Sequence, residues 1–244
     1  TPLSSSAASD VYKRQRFKKG NNMYFGLSED QIFFQDNVKK FLEDNAPLDL
    51  IRKISKGEDL NQKNEIHSGI INLGINNILV PEEHGGLGLD LLFATAISQS
   101  IGGAVAPLPY CGSYVMAPIA IQIGASKSQK ENIFNEMSSS NIKFGIAFSE
   151  YFGSRDSSSI NFSNEKINGK TIFAIDCDYA TDVLVSDASG KIGIVSIEDK
   201  NIEIVDLITV DKTRTYKEIK FRNANVEILE NTKKNTDAIE KALD

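Results

Sequence analysis

The hydrophobic residues of this chain keep one spacing through roughly the first 140 positions and another beyond them. Early on, Phe34, Val38, Phe41 and Leu42 fall three and four residues apart, which gathers apolar side chains on one face of an α-helix. From Asn141 the rhythm becomes two. Ile142, Phe144, Ile146 and Phe148 alternate with Lys143, Gly145, Ala147 and Ser149, as the two faces of a strand require. The pattern predicts an α+β chain, helical first and strand-rich second.

The helical half carries its own start and stop signals. Ser28-Glu29-Asp30-Gln31 reads as a capping box, with Leu27 and Ile32 placed for a hydrophobic staple and Pro47 ending the element. A second helix is expected from Gln62 to Leu73, with Ile66, Ile70 and Leu73 on one face and Gly74 as its C-cap. Others fit Leu91 to Gly102, Ser113 to Ile123 and Lys127 to Met137, the last behind a second box, Ser126-Lys127-Ser128-Gln129. Short helices of this kind make a bundle-like domain. Between them, Gly86-Leu87-Gly88-Leu89-Asp90-Leu91 has the look of a dinucleotide fingerprint but lacks its third glycine, and no parallel βαβ unit follows. It reads as a glycine-rich loop.

In the second half, Asn161-Phe162-Ser163 and Thr171 to Ile175 flank Asn168-Gly169, a hairpin-turn signal. Further strands are expected at Val183 to Val185, Ile192 to Ile197, Ile202 to Val205 and Tyr216 to Phe221, separated by turn clusters at Asp187 to Gly190 and Asp199 to Asn201. Short strands without helices between them point to an antiparallel barrel or sandwich. The small residues Gly145, Ala147 and Ser149 on one face of the first strand have two readings. They let a flat ligand approach the backbone, or they permit tight sheet packing.

Composition narrows the function. A net charge of -6 argues against a nucleic-acid surface, since Lys and Arg are scattered apart from one cluster, Lys13 to Lys19, in the N-terminal tail. Cys111 and Cys177 stand far apart without zinc spacing, so a reducing compartment and no metal are expected. Glu82, Glu83 and His84 are adjacent and read as solvated loop residues, not ligands. No apolar run is long enough for a membrane span. Residues 1–22 differ in composition from the rest, and Ser9 to Gln15 resembles a translated sequencing adapter. They read as a non-native or disordered tail, with Met23 as the expected start.

Three stretches, taken in order, resemble the acyl-CoA dehydrogenase family. Ile78-Leu79-Val80-Pro81-Glu82-Glu83-His84-Gly85-Gly86-Leu87-Gly88 is similar to its P-E-x-x-G-G-x-G loop, and Ala147-Phe148-Ser149-Glu150 to its flavin tract. Gly169 to Phe173, then Ala180 to Val185, are similar to its third run. The resemblance covers Leu27 to Leu229 and implies four segments: 1–22 tail, 23–140 N-terminal α-helical domain, 141–230 middle antiparallel β-barrel domain, and 231–244 the start of a truncated C-terminal helical bundle.

It implies FAD as cofactor, an acyl-CoA as substrate, and removal of two hydrogens across the Cα–Cβ bond, with a carboxylate taking the α-proton and the flavin the β-hydride. It places the flavin ring on an edge strand, against Ile146, Phe148 and Ser149, with Phe173, Ala174 and Ile175 alongside and Ser154 on the substrate side. Two departures stand out. Ile175 occupies a position where the family commonly has a threonine hydroxyl, and Tyr151 to Asp156 differs from the family's usual tract. They open a second reading, a non-catalytic or partial-site subunit of a mixed-subunit enzyme. Arg214, in Asp211-Lys212-Thr213-Arg214, fits either an ion pair with Asp211 or a ligand contact. No residue here takes the catalytic base, which the family carries in its C-terminal domain. The resemblance further implies an electron-transfer partner, a homo- or hetero-oligomer, and a cytoplasmic or mitochondrial-matrix location.

Overall fold

The computed structural model describes residues 26–153, 160–231 and 235–244. The chain divides into two compact units, Thr1–Leu108 and Pro109–Asp244.

The first unit is helical. Helix α1 (Glu29–Asn45) starts at the expected box, with the Ser28 hydroxyl accepting from the Gln31 amide at 3.2 Å and Gln31 Oε1 accepting from the Ser28 amide at 2.9 Å. Its buried residues Phe34, Val38 and Leu42 follow the period read from sequence. Helix α2 (Leu48–Ile54) was not expected. Pro47, read as a stop, stands at its N-cap, where a missing N–H costs nothing. Helices α3 (Leu60–Asn72) and α4 (Leu91–Gly103) follow, the latter capped by Asp90, which accepts from the Leu92 and Phe93 amides. α1 packs on α4 through Phe34 and Phe93, edge to face at 5.6 Å, and Gln35 Nε2 donates to the Ala96 carbonyl at 3.1 Å.

The second unit opens with a π-helical segment, Tyr110–Met116, that runs directly into α5 (Ala117–Gly124). Pro118 supplies the reason. It has no N–H to give the carbonyl one α-turn back, and the wider spacing relieves its ring; Ala117 accordingly donates five residues back, to Gly112. Helix α6 (Lys127–Ser138) begins at the second expected box. Near the end of the sequence, α7 (Asn235–Leu243) packs on α5 and buries Ala238 and Ile239 completely.

The strands are β1 (Phe144–Ala147), β2 (Asn161–Ser163), β3 (Lys166–Ile175), β4 (Asp182–Ser186), β5 (Ile192–Ser196), β6 (Ile202–Leu207), β7 (Tyr216–Asn225) and β8 (Glu227–Ile228). They form one sheet in the order β6-β7-β3-β1-β4-β5-β8, with β2 on β3. Pairing is antiparallel except between β1 and β4, and among the described residues the path ends at β6 and β8 without joining them into a closed barrel. The core on one side holds Ala147, Ile167, Ala174, Cys177, Val183, Val185, Val195, Ile219 and Phe221.

Two expectations are corrected. The hairpin turn lies at Asn164-Glu165, both left-handed at φ 48° and 58°, and not at Asn168-Gly169. Asn168 and Gly169 sit inside β3, paired with Arg222 and Phe221, because the long ladder with β7 outweighs the local turn preference. And β1 is an interior strand, not an edge: Ile146 pairs with Ile175 on one side and Leu184 on the other.

Candidate functional site

Small residues on β1 serve the protein's own packing. A Cβ at Gly145 would stand 2.5 Å from Cys177 Sγ and 3.2 Å from the Ile175 carbonyl oxygen, and Ala147 lies in the core with Val183 and Val185. The narrow side is therefore filled, and of the two readings offered by sequence, tight packing is the one observed there. Ile146, Phe148 and Ala174 are likewise buried, at 2%, 4% and 0% exposure. Only their backbone could reach a ligand.

Beyond the end of β1, Phe148 and Glu150 stay buried and Ser149 between them is partly open. Ser149 is half-buried, and its hydroxyl lies 3.0 Å from that of Thr171 on β3. Thr171 is fully buried. Each hydroxyl has one proton, so if Thr171 donates inward to Ser149, the Ser149 proton is left for an outside acceptor. Sequence reading missed Thr171, because a lone threonine on a strand carries no signal of its own.

Two residues further along β3, the ladder with β7 slips between Thr171 and Ala174. The bulge turns Phe173 outward. Its backbone is left-handed at φ 57°, its side chain is 56% exposed, and its ring meets Tyr216 edge to face at 6.4 Å. A left-handed bulky residue is strained, and such strain gathers at functional sites. Ile175, half-buried, pairs with Ile146 and offers no hydroxyl. Ser154 lies outside the described residues.

Next to this segment is a polar cluster of which sequence reading singled out Arg214 but not Asp176. Asp176, left-handed at φ 59°, accepts from the Gly112 amide at 2.6 Å and the Ser113 amide at 3.4 Å. Burial pushes its carboxyl up to about 6, against the pull of those two amides and of Arg214. Arg214 lies 3.8 Å from Cys111 Sγ, while Asp211 is held by the Thr213 amide and hydroxyl in its own turn. Burial likewise pushes the Cys177 thiol up to about 12, so it is an inert core thiol. The site thus offers a planar ligand an exposed aromatic ring, Phe173 on β3, and a hydroxyl, Ser149, just beyond the end of β1. These residues fit a flavin in part: an exposed aromatic ring and a half-buried hydroxyl are present, and a hydroxyl at position 175 is not.

Comparison with known proteins bears on the fold. The acyl-CoA dehydrogenase N-terminal domain family matches residues 28–141. No curated protein sequence matches the chain. Among solved structures, the ChsE4-ChsE5 complex from Mycobacterium tuberculosis is similar with a TM-score of 0.73 at 18% identity, over 88% of this chain and 61% of that one. Butyryl-CoA dehydrogenase from Megasphaera elsdenii gives 0.69 at 18% identity, over 91% and 63%. The glutaryl-coenzyme A dehydrogenase complex with glutaryl-CoA gives 0.69 at 16%, over 91% and 61%. The chain spans about three fifths of the length of these structures. At such identities the likeness is one of fold. Among the described residues, no helix is long and apolar enough to cross a membrane.

Proposed function

We propose that this chain, which belongs to the acyl-CoA dehydrogenase family through residues 28–141, supplies the helical and strand domains of a flavin-dependent enzyme that oxidises the Cα–Cβ bond of an acyl-CoA thioester to the 2-enoyl-CoA. The observation that carries the reading is the exposed, left-handed Phe173 beside the Ser149–Thr171 hydroxyl pair. FAD, when bound, supplies the acceptor for the β-hydride. Phe173 gives its ring a flat apolar contact, Ser149 donates to its polar edge, and backbone at Ile146, Phe148, Ala174 and Ile175 lies alongside. On this reading Thr171 donates to Ser149, which leaves the Ser149 proton for the ring. Ser154 is assigned to the substrate side by resemblance alone. No residue of this chain is assigned as the base.

Titrating FAD into the purified chain, followed by quenching of flavin fluorescence, tests this. Weak binding is expected, with no reduction of an artificial electron acceptor on adding acyl-CoA. Ser149→Ala should weaken binding about tenfold, the worth of one hydrogen bond to a polar ligand. Phe173→Ala should weaken it at least as much, and circular dichroism should show both variants folded. Binding indifferent to both substitutions would remove the flavin from this site.

A second reading is favoured by one residue. Ile175 leaves the ring a hydroxyl short, which suits a subunit that completes its site with a partner, and the ChsE4-ChsE5 structure is itself a complex of two proteins. On that reading the chain alone binds no FAD and gains it with a partner subunit. Ile175→Thr separates the two. It should tighten FAD binding several-fold if the chain holds the ring by itself, and do nothing if it does not.

A further inference from the structure

We propose that Asp176 is a positioning residue: its carboxyl group, held by the Gly112 and Ser113 amides, fixes the Phe173–Asp176 segment in the outward shape that presents Phe173. This deepens the flavin reading, since it names what sets the segment on which that reading rests.

The segment needs such a hold. Phe173 and Asp176 are both left-handed, at φ 57° and 59°, and neither is glycine. Conformations of that kind persist only where the surroundings over-determine them. The Phe173 ring cannot do so, because more than half of it faces solvent. Asp176 can. Its Oδ2 takes the Gly112 amide at 2.6 Å, and a Cβ at position 112 would stand only 2.8 Å from that oxygen, so glycine admits the approach. The neighbouring Ser113 hydroxyl donates to the Phe144 carbonyl on β1. One turn of the π-helical segment is thereby tied to both strands of the candidate site, β1 through Ser113 and β3 through Asp176.

Four charged or titratable groups face this carboxylate. Arg214 attracts it and Asp178 opposes its charge, while Tyr114 on the π-helical segment and Cys177 beside it are both pushed up by burial and stay neutral. Asp178 is in turn paired with Lys217 at 2.8 Å. With its carboxyl at about 6, Asp176 changes charge just below neutrality. Burial makes the carboxyl bind its proton more tightly in the held segment than it would in water, so protonation favours the held shape and ionisation loosens it. Folding stability moves the same way. A carboxyl raised above its unfolded value stabilises the fold when protonated, and that contribution is lost as pH rises through about 6. At pH 7 the ionised group keeps its two amide bonds at some cost in stability.

The chain has no tryptophan, so Phe173→Trp installs a sole indole on the segment itself. Its emission and anisotropy should be followed from about pH 8 to about pH 5, a window that spans the carboxyl's change of charge. The expected result, as the pH falls, is a blue shift and a rise in anisotropy with a midpoint near 6. In the Asp176→Asn background the transition should vanish, while the thermal midpoint at pH 7 stays at or above that of the parent. In the Arg214→Gln background the midpoint should move upward. A flat emission, the same transition in Asp176→Asn, or a midpoint unmoved by Arg214→Gln would overturn the proposal. If Asp176→Asn fails to fold, Asp176 is a plain structural anchor and the proposal is likewise overturned. The titration needs no flavin, so failure of FAD binding leaves it standing, and normal FAD binding with flat emission sinks this proposal alone.

Discussion

Gly145→Val is expected to unfold the strand-bearing unit. Gly145 sits on β1 with paired strands on both sides, so the strand cannot step aside. A Cβ there would meet Cys177 Sγ at 2.5 Å, the Cys177 Cα at 3.2 Å and the Ile175 carbonyl oxygen at 3.2 Å. The last two are backbone. The sulfur is no freer, since the Cys177 side chain is buried and donates to the Ile175 carbonyl at 3.4 Å. Alanine alone must push the turn Cys177–Tyr179 off the sheet, and valine adds two methyl groups to a filled space. Overpacking that shifts backbone typically costs about 1–3 kcal/mol, and the branched side chain should exceed the top of that range. A domain has only about 5–15 kcal/mol in hand. Urea denaturation of the glycine, alanine and valine forms should show steadily falling midpoints, with the valine form largely insoluble. A valine variant that melts within about 2 °C of the parent would mean that the small face of β1 is not packed as described.

That face shows how far the sequence could be read. The alternation from Ile142 to Ser149 identified a strand and its two sides without ambiguity, because period two has no helical counterpart. It could not say what lay against the small side. Glycine and alanine look the same whether they admit a ligand or a neighbouring turn, and the turn here comes from Cys177, more than 30 residues along the chain. The helices were legible for a local reason: both capping boxes act within four residues, and both formed as read. Asn168-Gly169 misled because its turn preference is local while the ladder to Arg222 and Phe221 is not. The same holds in the candidate site. Ser149 and Phe173 could be named from the family's motifs, but the slip that exposes Phe173, and the Thr171 hydroxyl behind Ser149, depend on register with β7 and β1. The grip of Asp176 on Gly112 spans 64 residues and leaves no trace in spacing or composition.

In the helical unit, the second large effect is expected from Gly86→Ala. The loop that matches the P-E-x-x-G-G-x-G pattern folds back on the run before it, with Leu87 donating to the Asn77 carbonyl at 2.9 Å, Gly88 to Val80 at 2.8 Å and Leu89 to Ile78 at 2.9 Å. Ile78 and Val80 are wholly buried, so this run is fixed in the core. The three glycines then have different work. Gly85 and Gly88 are left-handed, at φ 83° and 59°, and an alanine at either should cost about 1 kcal/mol of backbone strain. Gly86 needs no unusual dihedral, but a Cβ there would collide with the Val80 carbonyl oxygen and lie 2.5 Å from both its carbon and the Val80 Cβ. None of those atoms can rotate away. Relief requires breaking the bonds that close the loop, so Gly86→Ala should cost about 3 kcal/mol or more, several times the cost of Gly85→Ala. Thermal melts of the two variants decide the matter by their order: a Gly85 variant less stable than the Gly86 variant would show that backbone angle, and not the narrow space against Val80, is what the motif preserves.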